Sequence, residues 1–232
     1  MTIAIIGTPY PEHFSKYIQH LIKKLEAEHI NLIIEEKFNI FLEKKIRFNK
    51  SFSTFNSYET LKNKADFLLS IGGDGTLLKA TTYVLESEIP IMGINTGRLG
   101  FISSISADQI DDAITDIIKG DYKINERALL ELRSDKKLFK DKNFALNEVA
   151  VSKKDTSSMI RIDAYVDDEF LNTYWADGLV VSTPTGSTGY SLSCGGPIIM
   201  PGTNNIIITP NAPHNLNVRP IVIDDNSVVK LK

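Results

Sequence analysis

The sequence predicts a two-part chain, an α/β half built on a parallel sheet followed by a mostly β half. Three observations carry this. Up to Gly120, short apolar runs alternate with apolar residues at helical spacing. After Gly120, strand-like runs follow one another, some separated by turn residues such as Asp167-Asp168 and Asp224-Asp225-Asn226. The second half offers no convincing long helix, only a short one after Gly186. Alternation of β and α implies parallel strands with helices on both faces. The boundary falls near residues 121–126, which gives parts 1–122 and 123–232.

Taken in order, Thr2 to Ile6 is an apolar run that ends in Gly7 and predicts a first strand. Phe14 to Glu28 places Tyr17, Ile18, Leu21, Ile22 and Leu25 on one helical face. Asn31 to Ile34 predicts a second strand. Phe38 to Phe48 is open between a helix and a basic excursion, and the polar stretch Asn49 to Asn56 reads as a loop. Phe67 to Ile71 is a strand, Thr76 to Glu86 a helix and Pro90 to Ile94 a strand. Ala107 to Lys119 is an amphipathic helix stopped by Gly120. Beyond it, strands are expected at Ala128–Arg133, Phe144–Ser152, Met159–Val166, Phe170–Trp175, Leu179–Ser182, Ile206–Thr209, Pro220–Ile223 and Val228–Leu231.

The composition narrows the function classes. A net charge of −3 over 232 residues gives no general attraction to nucleic acid or anionic membrane. The single cysteine, Cys194, excludes an intrachain disulfide and fits a reducing cytoplasm. No apolar run approaches the roughly 20 residues needed to span a bilayer. The N-terminus reads as a strand rather than a signal peptide.

Three loops have the chemistry of a phosphate or nucleotide site. Gly72-Gly73-Asp74-Gly75-Thr76 lies between a strand and a helix, where backbone approaches a ligand closely. It fails the dinucleotide fingerprint at the last glycine, and no P-loop sequence is present. Taken alone it is equally an ordinary tight turn in which Asp74 caps the helix. Asn95-Thr96-Gly97-Arg98-Leu99-Gly100-Phe101 follows the next strand and brings a cation suited to phosphate, Arg98. The third loop, Asp177-Gly178 and then Thr183 to Pro197, crowds hydroxyls and glycines around Tyr190, which is suited to stacking on a base. Asn147-Glu148 interrupts an apolar run, and neighbouring strand residues face opposite ways, so one of the pair is expected to point inward. His214 reads as a turn residue rather than a base.

With these motifs in this order, the sequence resembles the NAD kinase family. The first motif is shared with diacylglycerol and sphingosine kinases; Asn147-Glu148 and Thr183-Pro184-Thr185-Gly186-Ser187-Thr188-Gly189-Tyr190 are the more specific ones. The resemblance implies a Rossmann-like α/β domain with a parallel sheet, then a sandwich-like β domain. It implies transfer of the γ-phosphoryl of ATP to the 2′-hydroxyl of the adenosine ribose of NAD, with a divalent ion, normally Mg2+, held through the ATP phosphates and no protein metal site. By the same resemblance, Asp74 is the proton acceptor and touches NAD with Gly75. Lys79 stands near the nucleotide, Asn147 and Glu148 hold an adenosine end, and Asp177 is a second contact. Thr188, Gly189, Tyr190, Ser191, Leu192 and Ser193 wrap the adenine and ribose. A cytoplasmic homodimer or homotetramer is implied, with no nucleic acid or membrane partner. Alternatives of the same fold are an inactive NAD or NADP binder and a lipid kinase. The chain departs from many relatives in having Gly189 and Cys194 where they carry alanine, and Trp175 where they carry a basic residue. Relatives also continue past the equivalent of Lys232, so a truncated form is expected.

Overall fold

The computed structural model describes every residue except Lys50, Arg98, Leu99, Ser104, Lys137, 140–142, Asp155 and Thr156; the Arg98 expectation therefore lies outside the described residues. The chain divides into two units, Met1–Ile124 and Asn125–Lys232.

The first unit is built on five strands: β1 (Thr2–Gly7), β2 (Asn31–Glu35), β3 (Ser53–Phe55), β4 (Phe67–Ile71) and β5 (Ile91–Ile94). They are hydrogen-bonded in the order β3-β2-β1-β4-β5, and every pairing is parallel. Every residue of the inner strand β4 is buried, as parallel strands covered on both faces require. One face, with Ile3, Ile5, Leu69 and Ile71, packs against α1 (Ser15–Ala27), α2 (Glu36–Glu43) and α5 (Ile110–Lys119). The other, with Ala4, Ile6 and Leu68, packs against α3 (Tyr58–Leu61) and α4 (Asp74–Val84). The helical spacing of the sequence is the buried stripe: Ile18, Leu21, Ile22 and Leu25 on α1, Ile110, Ile114 and Ile117 on α5. Gly120 ends α5 at φ +73, a conformation glycine adopts without strain.

Two expectations are corrected here. The stretch Asn49–Asn56 is not all loop, because Ser53–Phe55 adds a short edge strand beside β2. The helix after the glycine loop begins at Asp74 rather than Thr76, with Gly73 as its N-cap.

The second unit holds two main antiparallel sheets. One has the order β13-β12-β11-β8, made of Ile221–Asp224, Asn205–Asn211, Gly178–Ser182 and Glu148–Ser152. The other is β10-β9-β14, from Glu169–Ala176, Ile160–Val166 and Val229–Leu231. Ile162, Ala164 and Tyr174 of the second sheet share a core with Leu179 and Ile208 of the first, so the inner faces meet as in a sandwich. A ribbon of β6 (Leu130–Glu131) and β7 (Phe144–Ala145) stands apart from both sheets in its pairing. The expected single strand Phe144–Ser152 is thus two, broken at Leu146-Asn147. The only α-helix described in this unit is α6 (Tyr190–Ser193), preceded by a 3-10 turn at Thr185–Thr188.

Candidate active site

In a sheet of this order, the direction of winding reverses between β1 and β4, and the carboxyl ends of those strands form a natural crevice. Gly7-Thr8 and Ile71-Gly72 lie at that point. The Thr8 N–H donates to the Ile71 carbonyl at 3.1 Å, and the Gly72 N–H to the Ile94 carbonyl at 2.9 Å. The hydroxyls of Thr8 and Thr76 are 3.1 Å apart. Gly72, at φ +154, is where glycine is required: a β-carbon there would overlap the Thr76 hydroxyl. At Gly73 and Gly75, by contrast, a β-carbon meets nothing within 4 Å among the described residues beyond its chain neighbours and the helix's own backbone.

Asp74 occupies the first turn of α4, where the helix dipole favours an anion. It does not cap the helix. Its carboxylate reaches the loop after β5 and accepts three backbone N–H groups, from Phe101 to Oδ2 at 2.9 Å and from Ile102 and Ser103 to Oδ1 at 3.2 and 2.9 Å. A β-carbon at Gly100 would overlap this carboxylate. A carboxylate offers about four lone-pair positions, so among the described residues one remains open on Oδ2.

Farther along α4, the Lys79 ammonium pairs with Glu35 Oε1 at 3.3 Å. The Tyr83 hydroxyl donates to the same oxygen at 3.1 Å, and the Phe38 N–H to Oε2 at 2.8 Å. Burial, with the Glu35 charge beside it, pushes the Tyr83 phenol up to about 12. Thr8 and Glu35 were not singled out in the sequence. The available signal was position: each stands at the carboxyl end of a strand.

In the second unit, the break at Leu146-Asn147 is made by Thr183. Its N–H donates to the Asn147 carbonyl at 2.9 Å and its hydroxyl to the Leu146 carbonyl at 2.5 Å. The same hydroxyl accepts the Gly186 N–H at 3.0 Å, and Gly186 lies so close to the Asn147 backbone that no β-carbon fits. The strand therefore stops, and the side chains of Asn147 and Glu148 come together beside the turn at Gly189. Asn147 Oδ1 and Glu148 Oε2 are both buried with no hydrogen-bond partner among the described residues. Burial raises the Glu148 carboxyl above the usual range, and the Tyr190 backbone N–H offsets this in part. A β-carbon at Gly189 would stand 2.9 Å from Glu148 Oε2.

The remaining residues differ in what they present. Tyr190 is exposed, and its hydroxyl accepts from Asn211 Nδ2 at 2.8 Å. Burial pushes the Cys194 thiol up, and its neighbour Tyr190 counters this. Asp177 is paired with Lys153 at 2.7 Å. The Thr188 hydroxyl donates to the Thr185 carbonyl at 3.3 Å. Leu192 and Ser193 are exposed. Ser191 is fully buried, its hydroxyl 2.9 Å from that of Thr209, so its side chain faces the interior. His214 lies on an exposed bend, its N–H donating to the Trp175 carbonyl at 2.8 Å.

The comparisons with known proteins agree with each other. Residues 3–122 match the ATP-NAD kinase N-terminal domain, and residues 146–232 the ATP-NAD kinase C-terminal domain. The chain is 50% identical to the NAD kinase of Cytophaga hutchinsonii, over 97% of this chain and 77% of that protein. It is 48% identical to the NAD kinase of Flavobacterium psychrophilum, over 100% and 80%. Among solved structures it is similar to yeast NADH kinase complexed with NADH, with a TM-score of 0.84 and 26% identity over 100% of this chain and 74% of that one. It is also similar to an NAD kinase from Archaeoglobus fulgidus in complex with ATP, with a TM-score of 0.71 and 27% identity over 100% and 80%. A parallel sheet with an acid-bearing glycine loop at its switch point, a β unit with an orphaned Asn-Glu pair, and matches over both units lead to one assignment: the chain belongs to the ATP-NAD kinase family.

Proposed function

We propose that the chain is an ATP-dependent NAD kinase, which moves the γ-phosphoryl of ATP to the 2′-hydroxyl of the adenosine ribose of NAD and yields NADP. The observation that carries this beyond family membership is the pair of buried, unpartnered acceptors, Asn147 Oδ1 and Glu148 Oε2. Buried acceptors without partners are costly, and ribose hydroxyls and an adenine amino group are the donors that would satisfy them.

A ribose hydroxyl is a weak nucleophile, and phosphoryl transfer through a loose transition state depends mainly on positioning and charge neutralisation. In this reading Asp74 orients the 2′-hydroxyl with its open lone-pair position on Oδ2 and takes its proton late. Gly75 lets the ribose approach the backbone. Lys79 meets phosphate. Asp177, Thr188, Gly189, Tyr190, Ser191, Leu192 and Ser193 complete the adenosine contacts, Ser191 through its backbone alone. Among the described residues no group of three or more acids, histidines or cysteines is placed to hold a metal ion. A divalent ion enters in this reading as part of the substrate, on the phosphates of ATP, where it neutralises phosphate oxygens beside Lys79.

Among the described residues no helix is long and apolar enough to cross a membrane. We place the enzyme in the cytoplasm, consistent with its lone thiol, and as a homodimer or homotetramer, for which exposed apolar residues such as Trp175, Met200 and Leu216 offer surface. The deciding measurement is a coupled assay for NADP from NAD, ATP and Mg2+. Turnover is expected. NAD binding with no ATP-dependent turnover would leave the inactive binder, and phosphorylation of diacylglycerol instead would leave the lipid kinase.

A further inference from the structure

We propose that Glu35 is a positioning residue of the phosphoryl-transfer site, whose buried carboxylate fixes the Lys79 ammonium at the carboxyl end of the parallel sheet, where the triphosphate of ATP is met. The proposal rests on the kinase reading above.

Glu35 is the last residue of β2 and is only 2% exposed. It also caps α2, but the cap uses one oxygen, Oε2, which accepts from Phe38. A short polar side chain performs that task at most helix starts. The longer glutamate leaves a second oxygen, and Lys79 and Tyr83 of α4 both converge on it. The exposure of the pair is asymmetric. The Glu35 side chain is nearly enclosed, whereas that of Lys79 is 39% exposed. The ammonium thus has an acid behind it and solvent before it, at the same end of the sheet as Thr8 and Gly72. A free lysine side chain samples many rotamers, and ordering it costs up to about 2 kcal/mol. Glu35 and the Tyr83 ring, 5.8 Å from Nζ, restrict that freedom before a phosphate arrives.

The test is the steady-state dependence on ATP at saturating NAD, measured on the full chain. In Glu35→Gln the amide oxygen still caps Phe38 but the amide NH2 turns toward Lys79, which loses its acceptor. We expect kcat/KM for ATP to fall about tenfold or more, the worth of a charge-assisted hydrogen bond. KM for NAD should move by less than about twofold. Lys79→Met should lose at least as much, and the double variant no more than Lys79→Met alone, because both changes break one device. The proposal is overturned if Glu35→Gln keeps wild-type ATP kinetics, or if its loss adds in full to that of Lys79→Met. Should Glu35→Gln not fold, Lys79→Met decides: a loss confined to ATP supports the proposal, and unchanged ATP kinetics overturn it. A wild-type chain that forms no NADP overturns the kinase reading, and this proposal with it. A working wild type with an indifferent Glu35→Gln overturns this proposal alone.

Discussion

Two carboxylates mark the two units, and their surroundings are opposite. Asp74 accepts three backbone N–H groups and stands in the first turn of a helix. Glu148 has a buried oxygen with no partner, and burial raises its carboxyl above the ordinary range. The first is held in place by the protein's own backbone amides. The second is left wanting a donor. On the proposed kinase reading, one site is organised before substrate arrives and the other is completed by substrate.

The comparison breaks first at Asp74. Asp74→Asn is expected to reduce kcat by about 10²–10⁴, the range of a positioned proton acceptor. It should also loosen the loop after β5. With two amides on Oδ1 and one on Oδ2, an asparagine turns its NH2 toward at least one N–H in either orientation. Hydrogen exchange at Phe101 to Ser103 should rise in the variant. Unchanged exchange there would mean the carboxylate is not what holds the loop.

Glu148→Gln should act in the opposite sense on stability and on binding. KM for NAD should rise about tenfold or more as an acceptor is partly lost, while the free protein should be no less stable, because a charge that burial disfavours has been removed. The pH dependence follows from the raised carboxyl. The folded state holds the proton more tightly than the unfolded chain, so this group's contribution is favourable at low pH. It is lost as pH rises from the ordinary glutamate range through the raised value. Thermal melts of wild type and Glu148→Gln across that window should converge on the acid side and separate above it, the variant being the more stable. Parallel curves would show that Glu148 is satisfied in solution.

Ser191→Ala tests whether the adenosine segment is all surface. It should cost about 1–3 kcal/mol by leaving the Thr209 hydroxyl unpaired, read by denaturant titration. KM for NAD should stay near wild type, since that side chain is interior. The smallest effect is expected at Gly189→Ala. The new methyl would press the end of the Glu148 side chain at 2.9 Å and the Gly186 carbonyl at 3.2 Å; the side-chain end yields and the carbonyl needs a shift of only a few tenths of an ångström, so KM for NAD should change by only about two- to threefold. A larger loss would show that Glu148 cannot move.

The sequence carried the α/β half well because its signals are local. Apolar spacing on α1 and α5 is the buried stripe itself, and the all-apolar run of β4 is a fully covered strand. It carried least where the deciding contact is distant. Ser53–Phe55 is too short for any periodicity, and only Phe55 in it is buried. The break before Glu148 is imposed by Thr183, a hydroxyl 37 residues from the carbonyl it takes. Asp74 was visible as an acid among glycines, but its amide partners lie 27 to 29 residues on. Glu35 looked like any acid after a strand until α4 brought Lys79 to it.

The glycines around Asp74 are not interchangeable. At Gly72 and Gly100 the neighbouring side chains already fill the space a methyl would need. At Gly73 and Gly75 the protein leaves that space open. For anyone redesigning this loop, the first two are fixed by folding, and on the proposed kinase reading the second two are fixed by the nucleotide. An alanine scan that lost activity at all four would be reporting two different failures under one appearance, and only a melting curve beside each assay would tell them apart.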